Sequence, residues 1–322
     1  MSAGSLISRG VFRKIPHTPY YATLRGAAYC ADSLDVLRSM PRESVDLVLT
    51  SPPFALRRKK SYGNVSAKEY INWFWPFSQE ICRVLKPKGS FVIDIGGSWN
   101  KGEPTRSLYH FELLLKLCGD EGPFKLAQEF YWYNRAKMPA PAQWVTIERV
   151  RVKDAVQPIW WLSKCARPEA SNRRVLKPYS DSMRRLMRHG YNHGPRPSGH
   201  VVSTKWGRDC GGAIPPNIIE VSNTRSADDY LAACRRYGLE VHPARFAEPV
   251  PEFFIQFLTK PRNIVMDVFA GSNVVGLVAE RLKRRWISVE LKEEYVVGSA
   301  FRFDAAGQAA LLKWRGCREP AS

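Results

Sequence analysis

The feature that most constrains the fold is a series of short, continuously apolar segments that each end in a turn. Residues 45–50 (VDLVLT) precede two prolines, residues 90–95 (SFVIDI) precede Gly96-Gly97, and residues 263–267 (NIVMD) precede a glycine-containing turn. Apolar runs of this length are typical of strands buried on both faces of a parallel sheet. Helix-like stretches separate them, so we predict an α/β fold with a doubly wound, mostly parallel sheet.

This alternation extends along most of the chain. Further strand-like segments lie at residues 28–30, 125–133, 156–162 and 286–290, and helix-like segments at residues 67–85, 252–258 and 274–282. Residues 164–209 differ, because they hold 11 Lys or Arg against 3 acids, many small polar residues and little periodicity. We therefore predict an inserted, loop-rich region, and divide the chain into residues 1–163, 164–240 and 241–322.

The charge of the chain indicates a polyanionic partner. Lysine and arginine total 49 against 30 acidic residues, which gives a formal net charge of +19 and a pI near 9.8. Nucleic acid fits this excess better than a membrane surface, because no Lys-rich helix shows a clean apolar face. DNA and RNA are both compatible with the charge alone. No apolar run approaches the roughly 20 residues that cross a bilayer, and the N-terminus lacks an apolar segment of signal-peptide length.

The cysteines and histidines indicate neither a disulfide framework nor a metal site. The seven cysteines are odd in number, and no pair has Cys-x-x-Cys spacing. The six histidines show no ligand spacing either. We therefore expect a reducing cytoplasm and assign no residue to a metal.

Residues 46–54 (DLVLTSPPF) place a serine and two prolines directly after a buried strand. Proline has no N–H and cannot continue a strand ladder, so Pro52 and Pro53 predict a stiff turn at the carboxyl end of that strand. Binding sites of open α/β sheets lie at this end. An ordinary loop bend is the alternative, but the preceding strand and the following Phe54 favour a functional turn.

Such a turn suits chemistry on an exocyclic amino group of a nucleobase. The lone pair of that nitrogen is delocalised into the ring, so it becomes reactive when acceptors hold its hydrogens in a tetrahedral arrangement. The Ser51 hydroxyl and the Pro52 carbonyl supply acceptors, and Phe54 supplies a face for stacking. Methyl transfer from a sulfonium would then need no covalent intermediate. The chain contains no Pro-Cys dipeptide, which argues against carbon methylation by a cysteine nucleophile.

A second pair of strand ends predicts a nucleoside site. Asp267 ends one strand, residues 269–273 (FAGSN) form the turn, and Glu290 ends the next strand about 20 residues further on. A carboxylate at the second strand end is placed to bind two ribose hydroxyls. The turn lacks the Gly-x-Gly-x-x-Gly of pyrophosphate sites, which favours a nucleoside without phosphates such as S-adenosylmethionine. The alternative is that Gly271 only closes an ordinary turn.

On these residues the chain resembles the N4-cytosine DNA methyltransferases of type II restriction-modification systems. The resemblance runs from about residue 29 to residue 303 and includes the segments TSPPFALRRKKSYGN (50–64), FVIDIGGSWNKG (91–102), FYWYNRAKMPAP (130–141), RPSGH (196–200), GGAIPPN (211–217), HPARF (242–246) and FAGSN (269–273). In that family Ser-Pro-Pro followed by Phe or Tyr marks N4-cytosine, whereas Asp-Pro-Pro-Tyr or Asn-Pro-Pro-Tyr usually marks N6-adenine. The family's β-type order, with catalytic half, target-recognition region and then cofactor half, matches the order in this chain.

The resemblance implies an S-adenosylmethionine-dependent methyltransferase fold that modifies N4 of a flipped-out cytosine in duplex DNA. It implies functional pairing with a cognate restriction endonuclease, and we expect a monomer on DNA in the bacterial cytoplasm, associated with the nucleoid. Asp32 is expected to contact the adenine of the cofactor, residues 242–246 to enclose its methionine end, and Asp94 to adjoin Ser51. The alternative for Asp94 is a strand-end acid that caps the Gly96-Gly97 turn. The expected cofactor site comprises Asp32, His242, Asp267, Phe269, Ala270, Gly271, Ser272, Asn273 and Glu290.

DNA contacts are expected after the catalytic turn and in the pocket that receives the base. A basic run follows the turn and is predicted to contact phosphates, with a solvated loop as the alternative; it comprises Arg57, Arg58, Lys59 and Lys60. A base inside a duplex must be flipped out before the enzyme can reach it. Tyr131, with its neighbours Trp132 and Tyr133, is predicted to form a wall of the receiving pocket, and core packing is the competing role.

Two features leave alternatives open. The family often has Thr-Thr after the glycine turn, where this chain has Val274-Val275, so hydroxyl contacts at that helix start are not expected. N6-adenine methylation and an inactive DNA-binding protein are the competing functions. The serine with intact prolines and the two cofactor carboxylates favour an active enzyme.

Overall fold

A computed structural model describes residues 10–55, 65–190, 194–202, 208–222, 228–303 and 306–316. Within these ranges the chain forms eleven strands, nine before residue 221 and two after it. The strands are β1 (Tyr21–Ala22), β2 (Gly26–Cys30), β3 (Val45–Thr50), β4 (Leu85–Asp94), β5 (Lys125–Tyr133), β6 (Val156–Ser163), β7 (Gly194–Pro195), β8 (Val201–Val202), β9 (Ile218–Glu220), β10 (Ile264–Asp267) and β11 (Arg285–Glu290).

The main sheet has the strand order β1-β2-β11-β10-β3-β4-β6-β5-β9. Five consecutive strands, β2, β11, β10, β3 and β4, run parallel, whereas β6 runs antiparallel to both of its neighbours. The predicted mostly parallel sheet is therefore confirmed. At its centre β10 pairs with β3, with Val265 opposite Leu47. This pairing joins two segments that lie far apart in the chain, the cofactor half and the catalytic half predicted from the sequence.

Helices cover both faces of this sheet. They are α1 (Ser33–Ser39), α2 (Tyr70–Val84), α3 (Tyr109–Cys118), α4 (Asp181–His189), α5 (Asp229–Tyr237), α6 (Pro249–Leu258), α7 (Val274–Arg281), α8 (Glu293–Ala300) and α9 (Ala306–Gly316). Helices α1 to α3 bury apolar side chains in one core, and α6 to α8 bury theirs in a second core on the other face. Parallel strands need this double cover because their side chains are apolar on both faces. Among the described residues, none of the helices has the length and apolar character to cross a membrane.

The structure departs from the sequence prediction in two places. Helix α2 ends at Val84 as the Lys-Pro-Lys-Gly segment suggested, but β4 begins at once, and a register shift against β3 accommodates Pro87 within the strand. Residues 164–209 are not all loop, because they contain α4, which Ser180 caps by accepting a hydrogen bond from the Met183 N–H at 3.2 Å. Helix α4 buries none of its side chains, which explains why the apolar pattern did not reveal it.

Candidate active site

The carboxyl ends of the five parallel strands meet at one edge of the sheet, where they surround a cavity of about 590 Å³. Ser51 follows β3, Asp94 ends β4, Asp267 ends β10, Glu290 ends β11, and Asp32 follows β2. All five line this cavity. Its volume lies in the range of small-molecule sites, and its position is the one expected for open α/β sheets.

Ser51 and Asp94 form the polar pair at the catalytic end. Their side chains are hydrogen-bonded, and Gln157 Nε2 donates a second hydrogen bond to Oδ1 of Asp94. Burial raises the pKa of the Asp94 carboxyl to about 7, and these hydrogen bonds limit the rise. Asp94 therefore adjoins Ser51, as expected. The serine hydroxyl is bonded to a carboxyl that changes charge near neutral pH.

The proline turn is held from both sides. The Tyr70 hydroxyl donates a hydrogen bond to the Pro53 carbonyl at 2.9 Å, and Phe54 packs against Gly96. A Cβ at Gly96 would lie 2.7 Å from Cε2 of Phe54, so only glycine lets the ring take this position. Ser51, Pro52, Pro53 and Phe54 all line the cavity, as the sequence predicted for a base-binding turn.

Asp267 sits at the junction of the two halves. Its Oδ1 accepts hydrogen bonds from the Thr50 hydroxyl at 2.6 Å and from the Phe269 N–H at 3.0 Å. The side chain is 2% exposed, and burial raises its pKa to about 7. One carboxylate therefore fixes the end of β3 and the start of the glycine turn while it also faces the cavity.

Glu290 holds the other end of the glycine turn. Its Oε2 accepts a hydrogen bond from the Gly271 N–H at 2.8 Å, and its Oε1 accepts one from the Lys292 N–H at 2.9 Å. Burial raises the pKa of this carboxyl, and the backbone N–H groups of Lys292, Gly271 and Leu291 oppose the rise. The carboxylate still has lone-pair capacity, so it can accept a further hydrogen bond from a ribose hydroxyl.

Gly271 allows the turn to approach His242. Its φ is +49°, and a Cβ there would lie 2.8 Å from Nε2 of His242. Burial lowers the pKa of the imidazole to about 4, so His242 is neutral at neutral pH. The Tyr230 hydroxyl accepts a hydrogen bond from the His242 N–H at 2.8 Å and fixes this segment beside the turn. His242 lines the cavity, in the segment predicted to enclose the methionine end of the cofactor.

The remaining predicted cofactor residues divide into two groups. Asp32, Phe269, Ala270 and Ser272 line the cavity, and Asp32 also caps α1 by accepting a hydrogen bond from the Leu34 N–H at 2.7 Å. Gly271 and Asn273 do not line it. The Asn273 side chain has a structural role instead of the predicted one, because it caps α7 and bonds to other buried groups. Its partners are the Gly276 N–H at 3.1 Å, the Ser288 hydroxyl at 2.6 Å and the Tyr21 hydroxyl at 2.9 Å.

The aromatic wall of the cavity contains Trp132, the neighbour of the predicted Tyr131. Trp132 lines the cavity, and Tyr131, which points to the other face of β5, does not. The Trp132 indole is held in place because its Nε1–H donates to the Val221 carbonyl at 2.8 Å. Val274 lines the cavity at the start of α7, where the family often has threonine. The predicted phosphate contacts, Arg57, Arg58, Lys59 and Lys60, lie outside the described residues.

Besides Ser33, which begins α1, the sequence reasoning missed three polar residues in the cavity: Asn134, Lys137 and Gln157. The first two lie in the segment after β5, and Gln157 lies on β6. Asn134 and Lys137 are part of the FYWYNRAKMPAP segment that carries the resemblance, so a signal existed, but nothing in the segment showed which of its side chains reach the site. Within the described ranges, no three His, Cys, Asp or Glu side chains are grouped as metal ligands would be.

A mostly parallel sheet of this topology, with a cavity lined by strand-end carboxylates at its carboxyl edge, has the S-adenosylmethionine-dependent methyltransferase fold. Asp267 and Glu290 flank a glycine turn whose backbone closely approaches the cavity, so the residues present fit S-adenosylmethionine. S-adenosylmethionine is therefore the methyl donor of this protein.

Comparisons with known proteins agree with this class. The family model described as DNA methylase matches residues 45–300. The Type II methyltransferase M.PvuII of Proteus hauseri is 50% identical over 288 residues, which cover 88% of this chain and 85% of that protein. The solved structure of the PvuII DNA methyltransferase (cytosine-N4-specific) matches with a TM-score of 0.76 and 42% identity, covering 94% of this chain and 95% of that one. The M1.HpyAVI–SAM complex shares the fold, with a TM-score of 0.52 and 16% identity over 87% of this chain and 99% of that one. The chain therefore belongs to the DNA methylase family.

Proposed function

We propose that this protein transfers the methyl group of S-adenosylmethionine to N4 of a flipped-out cytosine in duplex DNA. The observation that carries the proposal is the hydrogen-bonded Ser51–Asp94 pair, which shares one cavity with the Asp267 and Glu290 carboxylates. A cavity that joins both groups allows a base amino group and a methyl donor to meet. Support for cytosine comes from the Ser-Pro-Pro-Phe turn and from the cytosine-N4 specificity stated for the similar PvuII enzyme.

The chain's own groups can position and deprotonate the reacting nitrogen. The Ser51 hydroxyl and the Pro52 carbonyl accept hydrogen bonds from the two N4 hydrogens. This arrangement turns the nitrogen lone pair out of conjugation with the ring. When bound, S-adenosylmethionine supplies the methyl group as an electrophilic sulfonium. The N–C bond forms as the S–C bond breaks, and N4 then releases one proton. Asp94, with a pKa near 7, can take up that proton through Ser51. Phe54 holds the face of the base.

The cofactor is held by the strand ends and the glycine turn. Glu290 would accept hydrogen bonds from the ribose hydroxyls, and Asp32 would accept one from the adenine amino group. Asp267 holds the turn of Phe269, Ala270, Gly271 and Ser272 against the cofactor. His242 is neutral at neutral pH, and it therefore encloses the sulfonium end without electrostatic repulsion.

The wider biological setting follows from the same assignment. Residues 164–240 are the target-recognition region, and Arg57, Arg58, Lys59 and Lys60 contact DNA phosphates. The net charge of +19 supports contact with duplex DNA along an extended surface. The protein acts as a monomer in the bacterial cytoplasm, associated with the nucleoid, and protects DNA from a cognate restriction endonuclease.

The test is transfer of tritium from labelled S-adenosylmethionine to duplex DNA, followed by nucleoside analysis and mapping of the modified sequence. We expect N4-methylcytosine at one short sequence. N6-methyladenine would overturn the base assignment, and 5-methylcytosine would overturn the mechanism. Absence of transfer by folded protein that binds S-adenosylmethionine would leave the inactive DNA-binding alternative.

A further inference from the structure

The connection between β5 and β6 carries a cation into the catalytic cavity. Lys137 lines the cavity together with Ser51, Asp94 and Gln157. Burial lowers the pKa of its ammonium, although the nearby Asp154 and Asp94 carboxyls oppose this effect. A half-buried ammonium needs hydrogen-bond acceptors, because it has given up part of its hydration.

The acids near Lys137 are already engaged elsewhere. Oδ2 of Asp154 accepts from Nη1 of Arg106 at 2.6 Å, and Asp94 is bonded to Gln157 and Ser51. Within the described part of the chain, the Lys137 ammonium has no hydrogen bond to a side chain or carbonyl and no ion pair within 4.0 Å. Its three donors are therefore available to a ligand in the cavity.

We propose that Lys137 binds the flipped cytosine by donating a hydrogen bond to its ring acceptors, O2 or N3. This assignment rests on the proposed function and adds a base-binding residue to it. The Watson–Crick edge of cytosine presents a donor, N4–H₂, followed by two acceptors, N3 and O2. The site presents matching groups: Ser51 and the Pro52 carbonyl accept, and the Lys137 ammonium donates beside them. Adenine has a C–H where cytosine has O2, so this donor also favours the pyrimidine.

The test compares DNA affinity on three duplexes that carry the methylated sequence found in the product analysis. The target position holds cytosine, pyrimidin-2-one (which keeps N3 and O2 but lacks the amino group) or an abasic sugar. The variants are Lys137→Met and Lys137→Gln. The matched control is Lys153→Met, because Lys153 lies on the same connection but outside the cavity and donates to the Arg135 carbonyl at 3.1 Å.

We expect Lys137→Met to weaken binding of the cytosine and pyrimidin-2-one duplexes by about 10- to 100-fold, the loss typical of a charge-assisted hydrogen bond. Binding of the abasic duplex should stay unchanged, Lys137→Gln should recover part of the loss, and Lys153→Met should affect the three duplexes alike. An equal loss on all three duplexes would overturn the proposal in favour of a phosphate contact. A loss by Lys137→Met that is confined to the cytosine duplex would also overturn the proposal. So would the absence of any loss. The proposed function fails separately, if wild-type protein forms no N4-methylcytosine.

Discussion

The Thr50 hydroxyl donates a hydrogen bond to Oδ1 of Asp267 at 2.6 Å, across the β3–β10 pair at the centre of the sheet. Thr50 immediately precedes Ser51, and Asp267 lies two residues before the glycine turn. The last residue of the catalytic strand therefore fixes the last residue of the cofactor strand. Both side chains are buried, so the bond lies in surroundings of low dielectric constant, where it is electrostatically stronger than in water. We expect this contact to set the position of the methyl donor relative to the base turn.

We predict that Thr50→Val lowers S-adenosylmethionine affinity by up to about 30-fold, because the Asp267 carboxylate loses a buried donor of the kind worth roughly 1–2 kcal/mol. Thr50→Ser keeps the hydroxyl and should bind the cofactor like wild type. Titration calorimetry on both variants makes the comparison. Equal affinity of the valine and serine variants would show that the contact does not support the cofactor site.

Gly271→Ala should weaken cofactor binding more than its backbone penalty explains. A left-handed backbone costs a residue with a Cβ about 1–2 kcal/mol, and at Gly271 the Cβ would also meet His242 at 2.8 Å. Gly238→Ala is the matched control, because Gly238 has a φ of +68° with no heavy atom within 4 Å of an added Cβ. Both variants should lower the melting temperature. A loss of cofactor affinity as small in Gly271→Ala as in the control would contradict the predicted contact.

The pH dependence of stability should report Asp94. Its carboxyl has a pKa of about 7 in the folded protein, against an ordinary value of 3.8, so the unfolded chain releases this proton first. The contribution to stability is therefore complete below about pH 4 and declines as the pH rises to about 7. Asp94→Asn removes this decline. Asp267 has the same direction of shift, so the variant flattens only part of the profile of melting temperature between pH 4 and 8.

The same residue should shape the rate profile. In wild type, kcat at saturating DNA and cofactor should rise through about pH 7 as Asp94 ionises and becomes able to accept a proton through Ser51. Asp94→Asn should be slow, without this rise. A variant that keeps both the wild-type rate and its pH dependence would show that Asp94 only caps the turn that follows β4.

The strand-end residues were predictable because their signal is local. Ser51 and Asp267 each follow or end a short apolar run, and the turn after each run is written in adjacent residues. The Asn273 role was not predictable, because its partners, Tyr21 and Ser288, come from other strands. The sequence therefore assigned to the cofactor a side chain that the fold uses to hold β1, β11 and α7 together.

The aromatic wall shows a second limit of sequence reasoning. Side chains alternate between the two faces of a strand, so one residue decides whether Tyr131 or Trp132 meets the base. Only the pairing of β5 with β6 and β9 fixes that choice. Lys137 was missed for a related reason, since it lies on the irregular connection after β5, where no periodicity relates a residue's number to its direction.

DNA affinity should fall steeply with salt, because Lys and Arg release counterions when they meet phosphates. Replacing Arg57 and Arg58 with alanine should reduce the slope of log affinity against log salt by about one unit for each lost phosphate contact. Arg38→Ala is the control, since Arg38 is exposed in the last turn of α1, which runs away from the cavity edge. A slope identical to that of the control would place the two arginines away from DNA.

Replacement of Ser51 tests the chemistry most directly. Ser51→Ala keeps the proline turn but removes the group that joins N4 to Asp94, so cofactor and DNA affinity should persist while kcat falls. Loss of one preorganised hydrogen-bond partner of this kind lowers kcat by about 100- to 1000-fold.

Ser51→Asp recreates the Asp-Pro-Pro turn of the adenine enzymes, but it leaves Phe54, Trp132 and Lys137 around the base unchanged. We expect weak residual cytosine activity and no efficient switch to adenine, since the shape of the pocket also selects the base. Single-turnover rates and mass spectrometry of the product nucleosides measure both effects. Efficient N6-methyladenine formation by Ser51→Asp would show that the turn alone selects the base.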